Sequence, residues 1–344
     1  MAKKKKPAFN YNAEVKRLRE RGPERLYLLY GQEDYLRERF AGELEKVCVP
    51  GGEEFSLHRL SGAGLELGEL GEAVNAMPFF TERTLVLVRD YDLNKCREEA
   101  WERLKAILSD IPDWCTLAFV QSPGMAPDGR LSAVKGLKKL GRALEFTEQE
   151  PAALTGWIAG RCKALGRTIE RRDAEYLVFL CGGLMQGLIP QIEKAAAHAA
   201  GERITRADID ATADRLPEAD VFAMTEELGR RRYDRAAAIL ADLLGNKDNH
   251  PIMLNALIGI QLRRMYACKA GLNAGRSRGD VMELCSMSYD RFFDQLCDAA
   301  KPYTEAELAR LVSLCAEYDY RMKSTGQDPA DLLRELFGRI AAGA

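Results

Sequence analysis

The stretch from Leu26 to Leu36, LYLLYGQEDYL, decides the fold of this chain. Its first five residues, Leu26 to Tyr30, are all apolar or aromatic, and so short a run predicts a strand buried on both faces of a sheet. After Gly31 the apolar residues fall at helical spacing on one face, at Tyr35, Leu36, Phe40, Leu44 and Val47. The stretch therefore predicts the first strand, turn and helix of an α/β domain.

The turn of this unit lacks the residues that hold phosphate. Nucleotide-binding proteins place G-x-x-x-x-G-K-[ST] here, so that backbone amides and the lysine bind the phosphates. This chain has Gly31-Gln32-Glu33-Asp34, with one glycine and no lysine. The carboxylates of Glu33 and Asp34 would repel a phosphate group. We therefore expect the fold of a nucleotide-binding domain without its site, and no cofactor.

Composition limits the other possibilities. The chain has 344 residues, of which 47% are hydrophobic, enough for two or three domains. Its 50 basic and 52 acidic residues give no overall field that would attract nucleic acid or membrane. The nine cysteines are scattered without a C-x-x-C pair, which is typical of reduced thiols in a cytosolic protein rather than of disulfides or a zinc site. No apolar run approaches the roughly 18 residues of a membrane span.

Strand and helix signals alternate over the first 146 residues. Further strands are expected at 55–60, 84–89, 115–120 and 143–146. The helices between them are expected around Leu67, Leu70, Val74 and Met77, at about 95–108, and at 131–140. Alternation of this kind predicts a doubly wound parallel α/β domain over residues 1–146, with the order of the strands left open.

From Thr147 onward the pattern is helical. Thr147 and Glu150 have the spacing of a capping box, and no further strand is expected. Short helices are predicted at about 172–181, 184–200 and 205–214, the last with a Thr205–Asp208 capping box, which together suggest a small helical domain over 147–215. Longer helices predict a third, all-helical domain over 216–344, at 219–231, 233–244, 250–272, 289–300, 304–323 and 329–342.

One loop stands out as a candidate binding element. Met77, Phe79 and Phe80 lie between an amphipathic helix and the strand at 84–89, and Pro78 prevents the helix from continuing through them. Two adjacent phenylalanines seldom point the same way, so at least one ring should be exposed unless a partner covers it. Packing in the core and anchoring of a partner both remain open from the residues alone.

Three other sets of residues are weaker candidates. Asp90 and Asp92 follow the strand at 84–89, where a hydrolysing ATPase carries its metal-binding carboxylates, but the phosphate-binding lysine is missing. A basic cluster that could contact DNA phosphates comprises Lys135, Lys138, Lys139 and Arg142, although a solvated surface is the ordinary explanation of such charges. Residues 279–300 can be drawn as a helix-turn-helix, yet their aromatic residues suit the core of a helical bundle better.

The chain resembles the delta subunit of the bacterial DNA polymerase III clamp loader from about Leu26 to Ala342. The order and spacing of several segments carry the resemblance: YLLYGQEDYL at 27–36, MPFF at 77–80, Arg83 ahead of LVLVR at 85–89, Trp157-Ile158, LGR at 165–167, QIEK at 191–194 and DYRMKSTGQDP at 319–329. One segment departs from the family pattern, Cys181 to Gly187, where the family usually has Gly-Asn-Asp-Leu and an arginine.

The resemblance implies an AAA+-like α/β module with a small helical lid, followed by a helical collar in a five-subunit ring. It implies a cytoplasmic replication protein without activity of its own, the ATPase and nucleotidyltransferase activities belonging to other chains of the holoenzyme. The implied partners are the sliding clamp (beta), the clamp-loader ATPase subunits, delta-prime and primed DNA, with no membrane and no small-molecule substrate. Met77, Phe79 and Phe80 would form the clamp-binding loop.

Three alternatives remain at this point. A delta-prime-like sibling is opposed by the absence of the four-cysteine zinc module and the Ser-Arg-Cys finger motif that siblings carry. A nucleotide-dependent enzyme with a degenerate phosphate loop would bind nucleotide. A DNA-binding regulator that uses residues 277–300 would shift duplex DNA on its own. The Lys3 to Lys6 run is expected to be a solubilising tail.

Overall fold

The computed structural model describes residues 9–51 and 54–343. The chain divides into two compact units: the residues up to Leu154 together with Gly183–Pro190, and Thr155–Gly182 together with Gln191–Ala344. The finer division into 1–146, 147–215 and 216–344 stays a prediction. The Lys3 to Lys6 run lies outside the described residues.

The first unit contains a five-stranded sheet whose paired strands are all parallel. Its spatial order is β2-β3-β4-β1-β5, so the strand that opens the fold lies between β4 and β5. The strands are β1 (Leu26–Gly31), β2 (Leu57–Ser61), β3 (Thr84–Arg89), β4 (Cys115–Val120) and β5 (Arg142–Phe146). This arrangement confirms the prediction of a parallel α/β domain.

Helices cover both faces of this sheet. One face packs against α2 (Asp34–Cys48), where Phe40 contacts the rings of Tyr27 and Phe146. The other face forms a single apolar core with the helices that follow, α3 (Leu67–Asn75), α4 (Glu98–Ser109) and α5 (Ser132–Leu140). Successive residues of β1 point to opposite faces, which is why its apolar run is continuous.

Three details of this unit differ from the sequence prediction. The second strand begins at Leu57, because Glu54–Ser56 form a 3₁₀ turn and Phe55 is exposed. Met77 was expected on the apolar face of a helix, but α3 ends at Asn75 and the Met77 side chain is exposed. A helix that the sequence analysis did not predict, α1 (Tyr11–Arg21), packs on α2.

The second unit is almost entirely helical, and it includes two strands that were not expected. β6 (Thr168–Ile169) and β7 (Arg203–Ile204) form a two-residue parallel pair. The Thr205–Asp208 capping box is confirmed at the start of α9 (Arg206–Thr212). The predicted Thr147 capping box is wrong, since the next helix, α6 (Pro151–Ala164), begins only at Pro151 and the Thr147 hydroxyl accepts a hydrogen bond from the Phe9 amide.

The helices after the sheet agree in position with the prediction, apart from one short helix, α13, that the sequence suggested only as part of a helix-turn-helix. They are α6 (Pro151–Ala164), α7 (Arg171–Cys181), α8 (Met185–His198), α9 (Arg206–Thr212), α10 (Pro217–Gly229), α11 (Tyr233–Gly245), α12 (Pro251–Asn273), α13 (Arg278–Leu284), α14 (Asp290–Ala300), α15 (Glu305–Ser324) and α16 (Pro329–Ala341). The fold class, α/β followed by all-α, is therefore confirmed.

An aromatic cluster joins segments that were predicted to belong to different helical domains. Phe179 of α7 stacks on Phe292 of α14 with ring centroids 3.8 Å apart, and it meets Phe222 of α10 edge-on at 5.0 Å. Phe292 and Phe293 are buried, so α14 belongs to the core of the bundle rather than presenting a DNA-reading face. A truncation near residue 215 would cut through this cluster.

Two further expectations can be compared with the structure. Every cysteine is a free thiol, and six of the nine are buried. None of the described helices is both long enough and apolar enough to span a membrane.

Candidate functional site

The parallel sheet separates two candidate regions. The turn after β1, residues 31–34, lies at the carboxyl edge of the sheet, where nucleotide-binding proteins hold phosphate. The loop at residues 76–83, here called the aromatic loop, precedes β3 and so lies at the amino edge. The 3₁₀ turn at residues 54–56 precedes β2 at the same amino edge. The two regions are therefore at opposite ends of the strands.

The aromatic loop exposes its apolar side chains. Met77 is 76% exposed, Phe79 59% and Phe80 86%. The two phenylalanine rings meet edge-on with centroids 4.6 Å apart. Because water rather than protein surrounds most of each ring, the structure excludes the alternative that Phe79 and Phe80 are core aromatics.

Buried hydroxyls hold the backbone of the aromatic loop. Ser56, which is fully buried, donates a hydrogen bond to the Phe79 carbonyl at 3.1 Å and accepts one from the Phe79 amide at 3.0 Å. The Thr84 hydroxyl donates to the Ala76 carbonyl at 3.1 Å. Phe80, the residue after the anchored Phe79, has a φ of 65°, in the left-handed region that bulky residues rarely adopt. The loop thus has a defined conformation while its rings face solvent.

The turn at residues 31–34 is closed by the protein itself. Gly31 has a φ of 127°, and a Cβ there would lie 2.2 Å from the Phe146 carbonyl oxygen of β5. Glu33 is fully buried, and its carboxylate accepts a hydrogen bond from the Met185 amide at 3.2 Å. Burial raises the pKa of Glu33 to about 7, although the Met185 amide opposes the shift. Glu33 therefore does not face an incoming phosphate, which corrects the repulsion argument made from sequence.

The segment that departs from the family pattern, residues 181–187, contributes to this closure. The backbone amide of Met185 donates the hydrogen bond that the Glu33 carboxylate accepts. Within the same segment, a Cβ on Gly183 would lie 1.8 Å from the Glu148 carboxylate, so glycine permits a close approach there.

A network of ion pairs occupies the rest of the carboxyl edge. Arg37 is only 2% exposed, and its guanidinium pairs with Asp34 and lies 3.5 Å from Glu38. Arg89, at the end of β3, makes two hydrogen bonds to the Glu38 carboxylate at 2.9 and 2.8 Å. Burial alone would raise the pKa of Glu38, but the hydrogen bonds and charges of Arg89 and Arg37 hold it below its usual value.

Arg37 was not predicted as a site residue, although its position in the sequence is that of the motif's lysine. In G-x-x-x-x-G-K-[ST] the lysine is the seventh position, and seven positions counted from Gly31 end at Arg37. The eighth position is Glu38, where the motif has the hydroxyl that binds magnesium. A cationic side chain thus occupies the lysine position, but its charge is neutralised by the neighbouring carboxylates of Asp34 and Glu38.

Asp90 and Asp92 make bonds within the protein. Asp90 accepts hydrogen bonds from the Ser122 amide at 2.6 Å and from the Ser122 hydroxyl at 2.9 Å, and Asp92 pairs with Lys95 at 2.9 Å. Within residues 9–51 and 54–343, no group of three or more His, Cys, Asp and Glu side chains has an arrangement that could hold a metal ion.

The basic cluster is divided by the structure. Arg142 binds the Glu14 carboxylate through three contacts of 2.6 to 3.0 Å, and the Lys138 ammonium donates to the Tyr30 hydroxyl at 2.8 Å. Lys135 and Lys139 are exposed on α5. Two of the four candidate residues thus have protein partners, and the other two face solvent.

Comparison with known proteins bears on both units. The family model described as DNA polymerase III, delta subunit, matches residues 27–147, and the model of its C-terminal domain matches residues 218–338. DNA polymerase III subunit delta of Bacillus subtilis (strain 168) is 29% identical over 322 residues, covering 91% of each chain. The probable DNA polymerase III subunit delta of Aquifex aeolicus is 21% identical over 323 residues, covering 91% of this chain and 90% of the relative.

A solved structure has the same fold. The Bacillus subtilis DNA clamp loader delta protein superimposes with a TM-score of 0.54 at 23% identity, covering 97% of this chain and 100% of that chain. The two family models together account for the sheet unit and most of the helices after Pro217. The chain therefore belongs to the family of DNA polymerase III delta subunits, which are components of the clamp loader.

Proposed function

We propose that the chain is a non-catalytic clamp-loader subunit that binds the ring-shaped sliding clamp through the aromatic loop and favours its opened form. The observation that carries the proposal is the exposure of Phe79 and Phe80, 59% and 86%, on a loop whose backbone is anchored by Ser56. Exposed aromatic rings at one edge of a protein are typical of surfaces that a partner covers. Met77 beside them offers a flexible side chain that adapts to a pocket.

The energy available from these rings is sufficient for specific binding. A phenylalanine buries roughly 150 to 250 Å², worth at most about 4 to 6 kcal/mol at about 25 cal/mol per Å². Because the loop is already ordered, little of this energy is lost in fixing its conformation on binding. To favour the opened clamp, the subunit must bind that form more tightly than the closed ring, since only a difference in affinity shifts an equilibrium.

The helices after Pro217 are proposed to join the other clamp-loader subunits, the ATPase subunits and delta-prime. On α12, Met253 and Ile260 lie seven residues apart on one face and are 39% and 38% exposed. An apolar face on a long helix suits packing against an equivalent helix of a neighbouring subunit. Primed DNA would be contacted within the assembled complex, with Lys135 and Lys139 as the candidates.

The clamp-binding proposal is tested with Phe80→Ala in the full chain. Affinity for the sliding clamp should weaken by roughly 2 to 4 kcal/mol, the range of interface hot spots. The melting temperature should change little, because an exposed side chain contributes less than about 1 kcal/mol to folding. Tyr320→Ala is the matched control, since Tyr320 is an aromatic residue that is 72% exposed on α15. Equal clamp affinity for the Phe80 variant and the control would refute the proposal.

The assembly proposal is tested with Ile260→Glu, which places a charge on the exposed face of α12. Because the shared aromatic cluster makes truncation unsuitable, the full chain is used. The variant should retain clamp binding but fail to co-purify with the other clamp-loader subunits. Leu165→Glu, at a residue that is 44% exposed beyond the end of α6, serves as the control. Normal assembly of the Ile260 variant would show that this face is not the contact.

A further inference from the structure

Two neighbouring residues of the 3₁₀ turn at residues 54–56 differ sharply in solvent exposure. Phe55 is 76% exposed, whereas Ser56 is fully buried. The Ser56 hydroxyl makes three contacts with the aromatic loop: it donates to the Phe79 carbonyl, it accepts from the Phe79 amide, and it lies 2.8 Å from the Thr81 hydroxyl, whose proton it shares with the Arg83 carbonyl at 2.9 Å. A residue 23 positions earlier in the chain thus holds both backbone polar groups of Phe79.

These bonds determine how the next residue is presented. Phe79 and Thr81, on either side of Phe80, are both bound to Ser56. Phe80 itself has a left-handed backbone with φ at 65°, a strained conformation that persists only where neighbouring bonds maintain it. The Ser56 hydroxyl is the polar group that joins both neighbours, so the outward orientation of the Phe80 ring depends on it.

Phe55 adds a third ring to the same surface. Its ring meets that of Phe79 edge-on at 6.5 Å, and Phe79 in turn meets Phe80 at 4.6 Å. The three rings therefore form a continuous aromatic surface drawn from two segments that precede adjacent strands, β2 and β3. A partner pocket that receives Phe79 would lie within contact distance of Phe55.

We infer that the turn at residues 54–56 is the second half of the clamp-binding surface, with Ser56 as a positioning residue and Phe55 as a further contact. The inference rests on the proposed function, namely that Phe79 and Phe80 bind the clamp. Ser56 holds the loop in its binding conformation before the clamp arrives, and Phe55 buries its ring when the clamp is bound.

The two roles have different kinetic signatures. Without the Ser56 hydroxyl the loop samples other conformations, and the apparent association rate falls with the fraction that remains competent. A hydrogen bond of ordinary strength corresponds to a change of about three- to tenfold in that fraction. Loss of the Phe55 ring removes a contact from the complex, so it should accelerate dissociation, by about tenfold for a residue of moderate importance.

The experiment measures association and dissociation rates of immobilised sliding clamp with Ser56→Ala, Thr81→Val, Phe55→Ala and Phe80→Ala in the full chain. Hydrogen exchange of the peptide containing the Phe79 amide is measured alongside. We expect Ser56→Ala, and more weakly Thr81→Val, to slow association and to accelerate exchange at Phe79. Phe55→Ala should accelerate dissociation and leave that exchange unchanged. Thr81→Val tests the same network if Ser56→Ala does not fold.

The possible results separate this inference from the proposal beneath it. If Phe80→Ala weakens binding while Ser56→Ala and Thr81→Val change neither association nor exchange, the positioning role is overturned. If Phe55→Ala dissociates at the rate of the unsubstituted protein, the extended surface is overturned. If Phe80→Ala has no effect, the proposed function itself fails, and this inference fails with it.

Discussion

The two edges of the parallel sheet differ in which side chains they bury and which they expose. At the carboxyl edge, Glu33 and Arg37 are charged residue types, yet both are buried and bonded to the protein. At the amino edge, Phe79 and Phe80 are apolar residues, yet both are exposed to solvent. Each edge thus reverses the usual placement of polar and apolar residues, in which charges face water and aromatic rings are buried.

The contrast supports the proposal that the aromatic loop, and not the turn at residues 31–34, is the binding surface of this unit. The charges at the carboxyl edge are paired with one another, so little net positive charge remains there to attract a phosphate ligand. Exposure of the two aromatic rings to water is unfavourable in the isolated protein, and a partner that covers them would remove this cost. The proposed binding surface therefore lies at the edge opposite to the one where nucleotide-binding α/β proteins hold phosphate.

The largest effect expected at the carboxyl edge follows from Arg37→Ala. Removing this buried guanidinium leaves Asp34 without its cation and Glu38 with Arg89 alone, and we expect a loss of about 2 to 4 kcal/mol in the free energy of unfolding. Urea unfolding measures the change. Arg39→Ala, an exposed arginine on the same helix, is the control and should lose less than about 1 kcal/mol. Equal losses in the two variants would mean that the Arg37 ion pairs are not important for stability.

Glu33, at the same edge, makes the free energy of unfolding of the protein depend on pH. Its pKa rises from an ordinary 4.5 to about 7 on folding, so between these values the folded protein retains a proton that the unfolded chain releases. Stability must then fall as the pH rises through this range, by up to about 3 kcal/mol. Glu33→Gln lacks this titration, and it should gain stability relative to the unsubstituted protein between about pH 5 and pH 8. A stability difference that does not vary with pH would contradict the assignment.

A smaller effect is expected for the basic helix α5. In the assembled clamp loader, Lys135→Ala with Lys139→Ala should reduce the slope of log affinity for primed DNA against log salt by up to about 2, one for each phosphate contact. Arg142→Ala is the comparison, because the Arg142 guanidinium already binds Glu14 and its loss should leave the slope unchanged. If only the Arg142 variant alters the slope, the wrong half of the cluster has been assigned to DNA.

No effect at all is expected from nucleotide. Isothermal titration of the chain with Mg-ATP should give no binding heat, because Arg37 is buried in ion pairs and the turn at residues 31–34 is closed by Phe146 and Met185. Arg37→Lys should behave in the same way, since a lysine there would face the same carboxylates. Saturable binding at micromolar ATP would show that the carboxyl edge retains a site, and the contrast between the two edges would disappear.

Local patterns in the sequence predicted the helices and strands and drew attention to the loop that carries Phe79 and Phe80. Short continuous apolar runs predicted the five strands, and apolar residues at helical spacing predicted most of the helices. These patterns and the Thr205 capping box depend only on residues close together in the chain. The deficient turn after β1 and the Met77 to Phe80 loop were also visible in the sequence. Whether Phe79 and Phe80 were buried was not, since burial depends on what packs around them.

Contacts between residues far apart in the chain became visible only in the folded structure. It placed β1 between β4 and β5, set the two candidate regions at opposite edges, and brought Ser56 to Phe79 and Arg142 to Glu14. It also buried Arg37 and Glu33, which a local pattern of charged residues would have left in water. The physical reason is that local periodicity fixes which face of an element is apolar, whereas the crossovers of the chain fix which elements become neighbours, and the bonds of a polar side chain depend on those neighbours.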